Sequence, residues 1–233
     1  MMPAEIVTRN KWIALKKGVM AYVIAVFALG SIVSYAAGAG AEATADVPAG
    51  SYTLDKSHAS LVFRVNHLGF SHYTARFTGF DAKLAFDPAN PVASRVEAVI
   101  DPATLGLDNP PPGFKEALLG TQWLDVALFS KRTFRSTKVE LAAPHAARIT
   151  GDLTLHGVTK PVVLETVFNG GYRGHPMDPY ARIGFSAKGV LRRSDFGMTL
   201  GIPAPGSKMG VSDEVEFTIE AEFTGPPLAA PKS

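Results

Sequence analysis

Three histidines, His58, His67 and His72, are the first residues whose type and spacing could bind a metal. His58 and His67 flank one candidate strand and would lie roughly 30 Å apart if it is extended at about 3.3 Å per residue, so they cannot share an ion. His67 and His72 could share one across a turn, but a zinc site also needs further ligands and supporting hydrogen bonds. We therefore interpret His67 as a structural histidine, and the alternative is an inward-facing polar contact to a bound carbonyl or phosphate.

The segment GDLTLHGVTKPVVLE, residues 151–165, contains a histidine, a lysine and two acids and could be a catalytic cluster. Its alternation instead predicts a strand in which Leu153 and Leu155 face the core while His156 faces solvent. Residues 157–160 have the length of a tight hairpin loop, and Pro161 is expected to start the next strand because proline lacks an amide donor. A solvent-facing histidine without a partner is a poor general base, so the segment is predicted to be a hairpin corner.

No other segment supplies a catalytic or metal-binding motif. Ser186 lacks the closing glycine of a nucleophile elbow, and neither a phosphate-binding glycine loop nor a dinucleotide fingerprint occurs. Arg192 and Arg193 could bind an anion, although pairing with nearby acids is the preferred interpretation. The chain has no cysteine, which excludes disulfides, thiolate metal sites and cysteine nucleophiles. The sequence therefore predicts neither a catalytic residue nor a bound metal.

Strands must position these residues, because period-two alternation runs through nearly every segment after residue 50. In EVEFTIEAEF, residues 214–223, apolar side chains alternate with glutamates and a threonine, as in an antiparallel sheet with one solvated face. The apolar parity shifts at Gly79, which predicts a bulge in a long strand. About eight strands satisfy the alternation. The one helical pattern, GFKEALLGTQWLDVALF, follows three prolines and is expected to begin near Gly113.

The N-terminal segment, residues 1–43, has the basic, apolar and small-residue regions of a secretory signal peptide. Its uncharged run, residues 18–41, is also long enough to remain as an uncleaved membrane anchor. Either way the domain that follows, residues 44–225, is expected in the periplasm if the cell is Gram-negative, and residues 226–233 are expected to be a disordered tail. Without residues 1–43 the chain keeps 19 of its 23 basic and 19 of its 21 acidic residues, so no nucleic-acid partner is predicted.

Four segments resemble, in the correct order, the sequence signature of the YceI-like family. They are YTLDKSHASLVFRVNHLGFSHYTARFTGFDAKLAFDP at 52–88, SRVEAVID at 94–101, WLDVALFSKRTFRSTKVE at 123–140 and GDLTLHGVTKPVVLE at 151–165. The resemblance implies an exported all-β protein, a lipocalin-like antiparallel β-barrel of about eight strands with one short helical insertion and a long apolar channel. It also implies binding of polyisoprenoid chains, isoprenoid quinones or related long lipids.

From that resemblance we expect a noncatalytic lipid-binding protein that sequesters or transports an isoprenoid chain or similar amphiphile, with a bound lipid and no other cofactor. The expected partners are the lipid and a membrane at which it is exchanged, while a homodimer stays open. Two alternatives remain. One is an enzyme acting on the bound lipid, with His67 as its acid–base residue. The other is a filled barrel that acts through its outer surface as a stress or interaction protein.

The residues expected to contact the lipid lie on the predicted inner face and at the barrel mouth. An eight-stranded barrel either fills its interior with side chains or holds one slim ligand, and each buried methylene of a lipid gains about 0.8 kcal/mol. Phe114, Leu118 and Trp123 of the helical insertion are expected to contact the lipid chain near the mouth. The inner-face residues are Leu61, Phe63, Val65, His67, Phe77, Leu84, Phe134, Leu155, Phe185 and Phe217.

Overall fold

The computed structural model of the protein describes residues 47–228, which form ten strand segments and one α-helix. The segment predicted to be a signal peptide or anchor, residues 1–43, lies outside the described residues. Within residues 47–228 no helix is long and apolar enough to cross a membrane. The elements are β1 (Gly50–His67), β2 (Ser71–Phe77), β3 (Phe80–Phe86), β4 (Arg95–Ile100), β5 (Leu105–Leu107), α1 (Phe114–Leu119), β6 (Arg132–Ala143), β7 (Ala146–Leu155), β8 (Val158–Tyr172), β9 (Tyr180–Arg192) and β10 (Val211–Pro227).

The strands form one antiparallel sheet that closes on itself as a barrel. β1 pairs with β10 along most of its length, from Thr53 opposite Thr224 to His67 opposite Val211. β2 and β3 are two parts of one bent strand that runs back along β1, and β5 likewise continues β4. The ten segments therefore make a wall of eight strands, and the predicted all-β antiparallel barrel is confirmed.

The bend between β2 and β3 lies at Gly79, where the apolar parity shifts. The Gly79 N–H donates to Thr104 Oγ1 at 2.8 Å, and the Gly79 carbonyl accepts from the Asp101 N–H at 2.8 Å. Both partners belong to the link between β4 and β5, so the two bent strands turn together. The sequence predicted a bulge here, and the structure shows a full interruption that lets the wall curve.

The hairpin between β7 and β8 turns at His156 and Gly157, whose φ values of 52° and 76° are those of a type I′ turn. The predicted loop at 157–160 is therefore wrong, because β8 already begins at Val158 and Pro161 lies within it, opposite Asp152. β8 pairs with β9 only from Glu165 onward. Pro161 therefore has no ladder hydrogen bond to lose on that side, and a proline is tolerated there.

The helical insertion lies between β5 and β6. α1 begins at Phe114, directly after Gly113, as predicted, but ends at Leu119 because Gly120 adopts an extended backbone. Residues 120–129 continue as hydrogen-bonded turns, in which the Asp125 N–H donates to the Gly120 carbonyl. The helical pattern predicted through Trp123 to Phe129 is therefore wrong beyond Leu119.

The last strand extends beyond its predicted end. β10 continues to Pro227, and the Leu228 N–H donates to the Pro179 carbonyl at 2.5 Å. Pro226 and Pro227 therefore belong to the barrel wall and not to the tail predicted at 226–233. Residues 229–233 lie outside the described residues.

The two ends of the barrel differ in what covers them. We call the end with the β1–β2 turn, α1 and the loop after β9 the helix end, and the end with Gly50 and Pro227 the terminal end. Each has its own group of buried apolar side chains, and Val96 and Ala98 contact both groups. At the terminal end these include Tyr52, Leu54, Leu84, Ile183 and Phe223, and towards the helix end they are Phe134, Leu153, Val162, Phe196 and Met198.

Candidate functional site

The inner face of the wall carries aromatic side chains at mid-height. Phe63 of β1 lies between Ala75 of β2 and Phe217 of β10, and Phe217 lies in turn beside Gly189 of β9. Phe63 and Phe217 are only half-buried, although paired strands flank them on both sides. A side chain on the inner face of a closed wall keeps accessible surface only where space remains inside. We call that space the central channel; around it lie Phe63, Phe77, Phe185, Ala187, Phe217 and Ile219.

Several rings pack against the wall beside small residues of neighbouring strands. A Cβ at Gly189 would lie only 2.5 Å from Cζ of Phe217, so the ring occupies the place of the missing side chain. Phe134 covers Gly151 in the same way. Phe63 and Phe77 stack on each other with ring centroids 5.2 Å apart. Rings held against the wall fill less of the barrel axis than rings that point at it, and this arrangement favours space inside the barrel.

The terminal end of the channel is closed by packed side chains. Tyr52 is 1% exposed, and its hydroxyl donates to the Pro48 carbonyl at 2.6 Å. Burial raises the pKa of Tyr52 to about 12, so its hydroxyl stays neutral. Phe86 packs against the rings of Phe168 and Phe185 at centroid distances of 6.0 and 6.1 Å. A ligand therefore cannot enter at the terminal end without displacing these aromatic rings.

The helix end is less densely packed on the side of β1 and β2. Val65, Tyr73 and Val215, which form the last inner layer here, are half-buried. Phe114 of α1 approaches Tyr73 edge-on, with ring centroids 6.2 Å apart, and is 37% exposed. The α1 segment therefore covers this end through few ring contacts, and we take it as the mouth of the channel.

Arg193 links the turns that follow α1 to the loop after β9. Its guanidinium lies 5.3 Å from the ring of Trp123 and donates to the carbonyls of Leu200 and Val211 at 2.7 and 2.8 Å. Two further bonds reach the carbonyls of Ser212 and Met198. Burial lowers the pKa of Arg193 from its ordinary value, and the nearby charge of Asp213 opposes that change. These carbonyls accept from four of the five N–H donors of Arg193, so the side chain serves to hold the backbone and not to grip an anion.

Its neighbour Arg192 pairs with an acidic side chain, as the sequence suggested. The exposed Arg192 lies 3.7 Å from Glu214. Both residues border an open cleft of about 330 Å³ beside the unpaired parts of β8 and β9, which also contains Lys160 and Asp195. Two basic and two acidic side chains balance there, so the cleft is not an anion site. Phe196, 1% exposed, also lines the cleft, together with Val162 and Leu191.

Tyr73 supplies the polar group nearest the mouth. Its phenol oxygen is buried and has no hydrogen-bond partner within the described part of the chain. An unpaired buried hydroxyl costs about 1–3 kcal/mol, so a partner brought by a ligand would recover free energy. Alternation already places Tyr73 on one face with Ala75 and Phe77. That parity was the signal that could have identified it, but alternation alone does not distinguish a tyrosine at the channel mouth from one at a solvated strand start.

The other predicted contact residues fall into four groups by position and burial. Leu61, Leu84 and Phe134 are fully buried in the wall, while Phe63, Val65, Phe77, Leu155, Phe185 and Phe217 are half-buried on the inner face. Leu118 and Trp123 are half-buried and Phe114 is exposed, all at the helix end. His67 is exposed at the rim, opposite Ser71 and Val211, and does not make the inward-facing polar contact that was the alternative to a structural histidine. Inner-face residues that the sequence did not select include Tyr73, Val96, Leu164, Ala187, Val215 and Ile219.

His156 differs from its prediction. The ring of His156 packs against Phe129 with centroids 4.7 Å apart, and its Nε2 is buried without a hydrogen-bond partner among residues 47–228. The segment before β6 therefore covers the hairpin corner, which the alternation of one strand could not reveal. The histidine is a packing residue and not a solvent-facing one, but it still lacks a partner that would make it a general base.

Between Leu54 and Ala59 the register of β1 with β10 shifts, and a polar network on this bulge is the nearest approach to a catalytic arrangement. Ser57 Oγ and Asp55 Oδ2 both lie 3.1 Å from the same nitrogen, Nδ1 of His58, so the histidine cannot relay a proton between them. Asp55 also accepts from Arg182 at 2.5 Å. The hydrogen bonds from Ser57, His58 and Arg182 hold the pKa of Asp55 far below its usual range. The network ties β1 to β9 outside the barrel, so its role is structural.

Metal binding receives no support from the part of the chain that the structure describes. Among residues 47–228 no three histidine, aspartate or glutamate side chains are grouped as they would be around an ion. His67 and His72 are both exposed at the β1–β2 turn. The chemistry that remains is apolar contact along the channel with one hydroxyl near its mouth.

Comparisons with known proteins agree with this architecture. The family model described as YceI-like domain matches residues 52–223. A UPF0312 protein of Vibrio cholerae is 35% identical over 178 residues, which cover 75% of this chain and 87% of that protein. BcnA of Burkholderia cenocepacia has the same fold, with a TM-score of 0.61 at 20% identity over 72% of this chain and 98% of that one. A polyisoprenoid binding domain from Saccharophagus degradans, implicated in plant cell wall breakdown, superposes with a TM-score of 0.53 at 14% identity, over 75% and 98%. The chain belongs to the YceI-like family.

Proposed function

We propose that the protein binds one long apolar molecule in the central channel and holds it without chemical change, for sequestration or transport. The preferred ligand is an isoprenoid chain of the polyprenyl or isoprenoid quinone type. The observation that carries the proposal is the half-buried state of Phe63, Phe185 and Phe217 inside a closed wall. Apolar surface left accessible in the interior gains free energy when a hydrocarbon covers it.

The channel suits a slim chain because apolar contact alone can hold it. A ligand that buries about twenty carbons gains a gross ~16 kcal/mol at about 0.8 kcal/mol for each, before the costs of association and of ordering the chain. Few polar contacts are then needed. The single hydroxyl of Tyr73 near the mouth is suited to one polar group at the end of such a chain, for example a carbonyl or a phosphate oxygen.

Family membership and one structural relative support the same ligand class. The barrel from Saccharophagus degradans that shares this fold is described as a polyisoprenoid binding domain. A noncatalytic role is supported by the composition of the channel at mid-height, where Phe63, Phe77, Phe185, Ala187, Phe217 and Ile219 provide no acid–base group. Ser57, His58 and Asp55 lie outside the barrel, as described above.

The proposed place of action is the periplasm. The support is the signal-like pattern of residues 1–43 in the sequence. Fractionation of host cells, with sequencing of the N-terminus of the isolated protein, tests it. A soluble periplasmic form that starts near residue 44 is expected, and a cytoplasmic form that starts at Met1 would refute it.

The ligand is tested with protein purified from its own host, because a foreign host supplies its own lipids. The purified protein is extracted with organic solvent and the extract is analysed by mass spectrometry. An intact long-chain isoprenoid supports the carrier, a chemically altered lipid supports an enzyme, and an empty extract supports a barrel that acts through its outer surface. Extraction of an Ala187→Phe variant, in which a ring enters the channel, is the negative control.

A further inference from the structure

Two loops at the helix end present large apolar side chains to solvent. The β1–β2 turn places Phe70 at its tip, 80% exposed, and the loop after β9 places Met209 nearby, 68% exposed. Leu200 in the same loop is also exposed. We call residues 68–71 together with residues 199–210 the rim surface. Large exposed apolar side chains that lie together mark interaction sites more often than single ones do.

The two loops of the rim surface are held as one unit. The Leu68 N–H donates to the Gly210 carbonyl at 2.8 Å, and the Val211 N–H donates to the Gly201 carbonyl at 2.8 Å. A Cβ at Gly69 would lie 3.0 Å from Cδ of Lys208, so that lysine stem lies across the turn. Phe70 and Met209 are therefore presented on a common surface whose backbone is fixed, and not on two independent loops.

The charge of the rim surface has one sign. Neither residues 65–73 nor residues 199–210 contain an aspartate or a glutamate, and Lys208 is exposed. Among the described residues Lys208 has no ion-pair partner. The loops of the terminal end differ, because Asp87 and Asp178 lie in them. Apolar tips with adjacent basic and no acidic side chains are the composition that suits the interface of an anionic bilayer.

We propose that the rim surface docks on the surface of an anionic lipid bilayer, with Phe70 and Met209 inserted among the acyl chains and Lys208 at the phosphates. This inference rests on the proposed lipid-binding function. The rim surface borders the side of the helix end where Val65, Tyr73 and Val215 are half-buried, so docking brings the channel mouth to the bilayer. A long lipid then passes between membrane and channel without crossing water.

The test uses single-cysteine labels in the full chain, which is possible because the natural chain has no cysteine. An environment-sensitive fluorophore is attached in a Ser71→Cys variant, beside Phe70, and separately in a Met177→Cys variant at the terminal end. Met177 is 92% exposed and serves as the matched control. The probe is a vesicle of phosphatidylethanolamine with phosphatidylglycerol. Because each label reports only on its own position, any membrane contact made by residues 1–46 does not affect the comparison.

On addition of vesicles we expect the emission of the Ser71→Cys label to shift to the blue and to be quenched by lipids with nitroxide-labelled acyl chains. The Met177→Cys label should keep its aqueous emission. Adding Phe70→Ser and Met209→Ser should weaken the vesicle response by roughly tenfold for each side chain, since each removes an apolar anchor. High salt, or vesicles of phosphatidylcholine alone, should also weaken it.

An aqueous signal from the Ser71→Cys label with vesicles present, or equal shifts from both labels, would overturn the docking proposal. Solvent extraction of the Phe70→Ser/Met209→Ser variant separates this outcome from failure of the proposed function. Lipid retained in that variant together with a lost vesicle response supports a channel that is loaded through a separate docking surface. An empty extract from the natural chain with a normal vesicle response would refute the carrier and leave the docking surface in place.

Discussion

Ala187→Phe is the substitution that separates a hollow barrel from a filled one. Ala187 lies on the inner face of β9, opposite Thr166 of β8 and Ile219 of β10. Along the same strand Phe185 packs with the terminal cluster and Leu191 with the cluster towards the helix end, so Ala187 lies between the two. The alanine itself is only half-buried. A phenyl ring added here would enter the central channel.

The expected loss of ligand affinity follows from the carbons displaced. A phenyl group has about the size of one isoprene unit of five carbons, which contribute ~4 kcal/mol at about 0.8 kcal/mol each. Complete exclusion of one unit would therefore weaken binding by about a thousandfold. A chain that shifts and loses only two carbons would lose about tenfold. Folding should be affected little, because the ring fills existing space.

The assay combines lipid retention with urea unfolding at constant slope. Val167→Phe is the matched control, because Val167 lies on the outer face of β8 and is exposed. We expect Ala187→Phe to lose its lipid while unfolding within about 1 kcal/mol of the natural chain, and Val167→Phe to lose neither. A filled core would give the opposite result, since overpacking costs about 1–3 kcal/mol. Ala187→Phe with normal lipid retention would refute the channel.

Three other substitutions, the first with a matched control, test particular side chains. Arg193→Met should lower the free energy of unfolding by about 3 kcal/mol, because buried carbonyls lose a charged donor. Arg192→Met, at the exposed neighbouring position, is the control and should change the free energy of unfolding by less than about 1 kcal/mol. Urea titration measures both values. Tyr73→Phe should leave the free energy of unfolding unchanged or raise it by about 1 kcal/mol, because an unpaired buried hydroxyl is removed. The same substitution should weaken the binding of a lipid with a polar end but not the binding of a plain hydrocarbon, and competitive displacement measures both affinities. Asp55→Asn tests the sensitivity of the fold to acid. The pKa of Asp55 is lower in the folded state than its value of about 4 in the unfolded state, so the ionised carboxylate stabilises the protein above about pH 4 and this contribution is lost as the pH falls. The melting temperatures of the natural chain and of Asp55→Asn should therefore converge between pH 5 and pH 2. A difference that stays constant over that range would contradict it.

Local alternation was enough to predict the wall of the barrel. In β10 and β9 every second side chain faces inward, and this places Phe185 and Phe217 on the channel before any pairing is known. The glycine at position 79 marked a change of parity and is the site of the bend. These features depend on neighbours two residues apart in the chain, which is the distance over which period-two patterns carry information.

The ends of the barrel could not be predicted in the same way. Trp123 was expected on a helix facing a lipid, but the partner that fixes it is Arg193, seventy residues later in the chain. His156 looked exposed because its cover, Phe129, belongs to another segment. The position of Pro161 within β8 depends on where β9 stops pairing. Each of these outcomes is set by contacts between distant segments, for which the alternation of one strand gives no signal.

Pairing of the first strand with the last sets the order of events during synthesis. β2 and β3 pair with one edge of β1, but its other edge has no partner until β10 has emerged, so every shorter nascent chain has two unpaired strand edges. A truncated product cannot form a sealed cylinder and is exposed to aggregation. The proposed ligand can therefore be enclosed only after β10 has been synthesised, and a nonsense codon within β10 would leave the wall open although the other nine strand segments are complete.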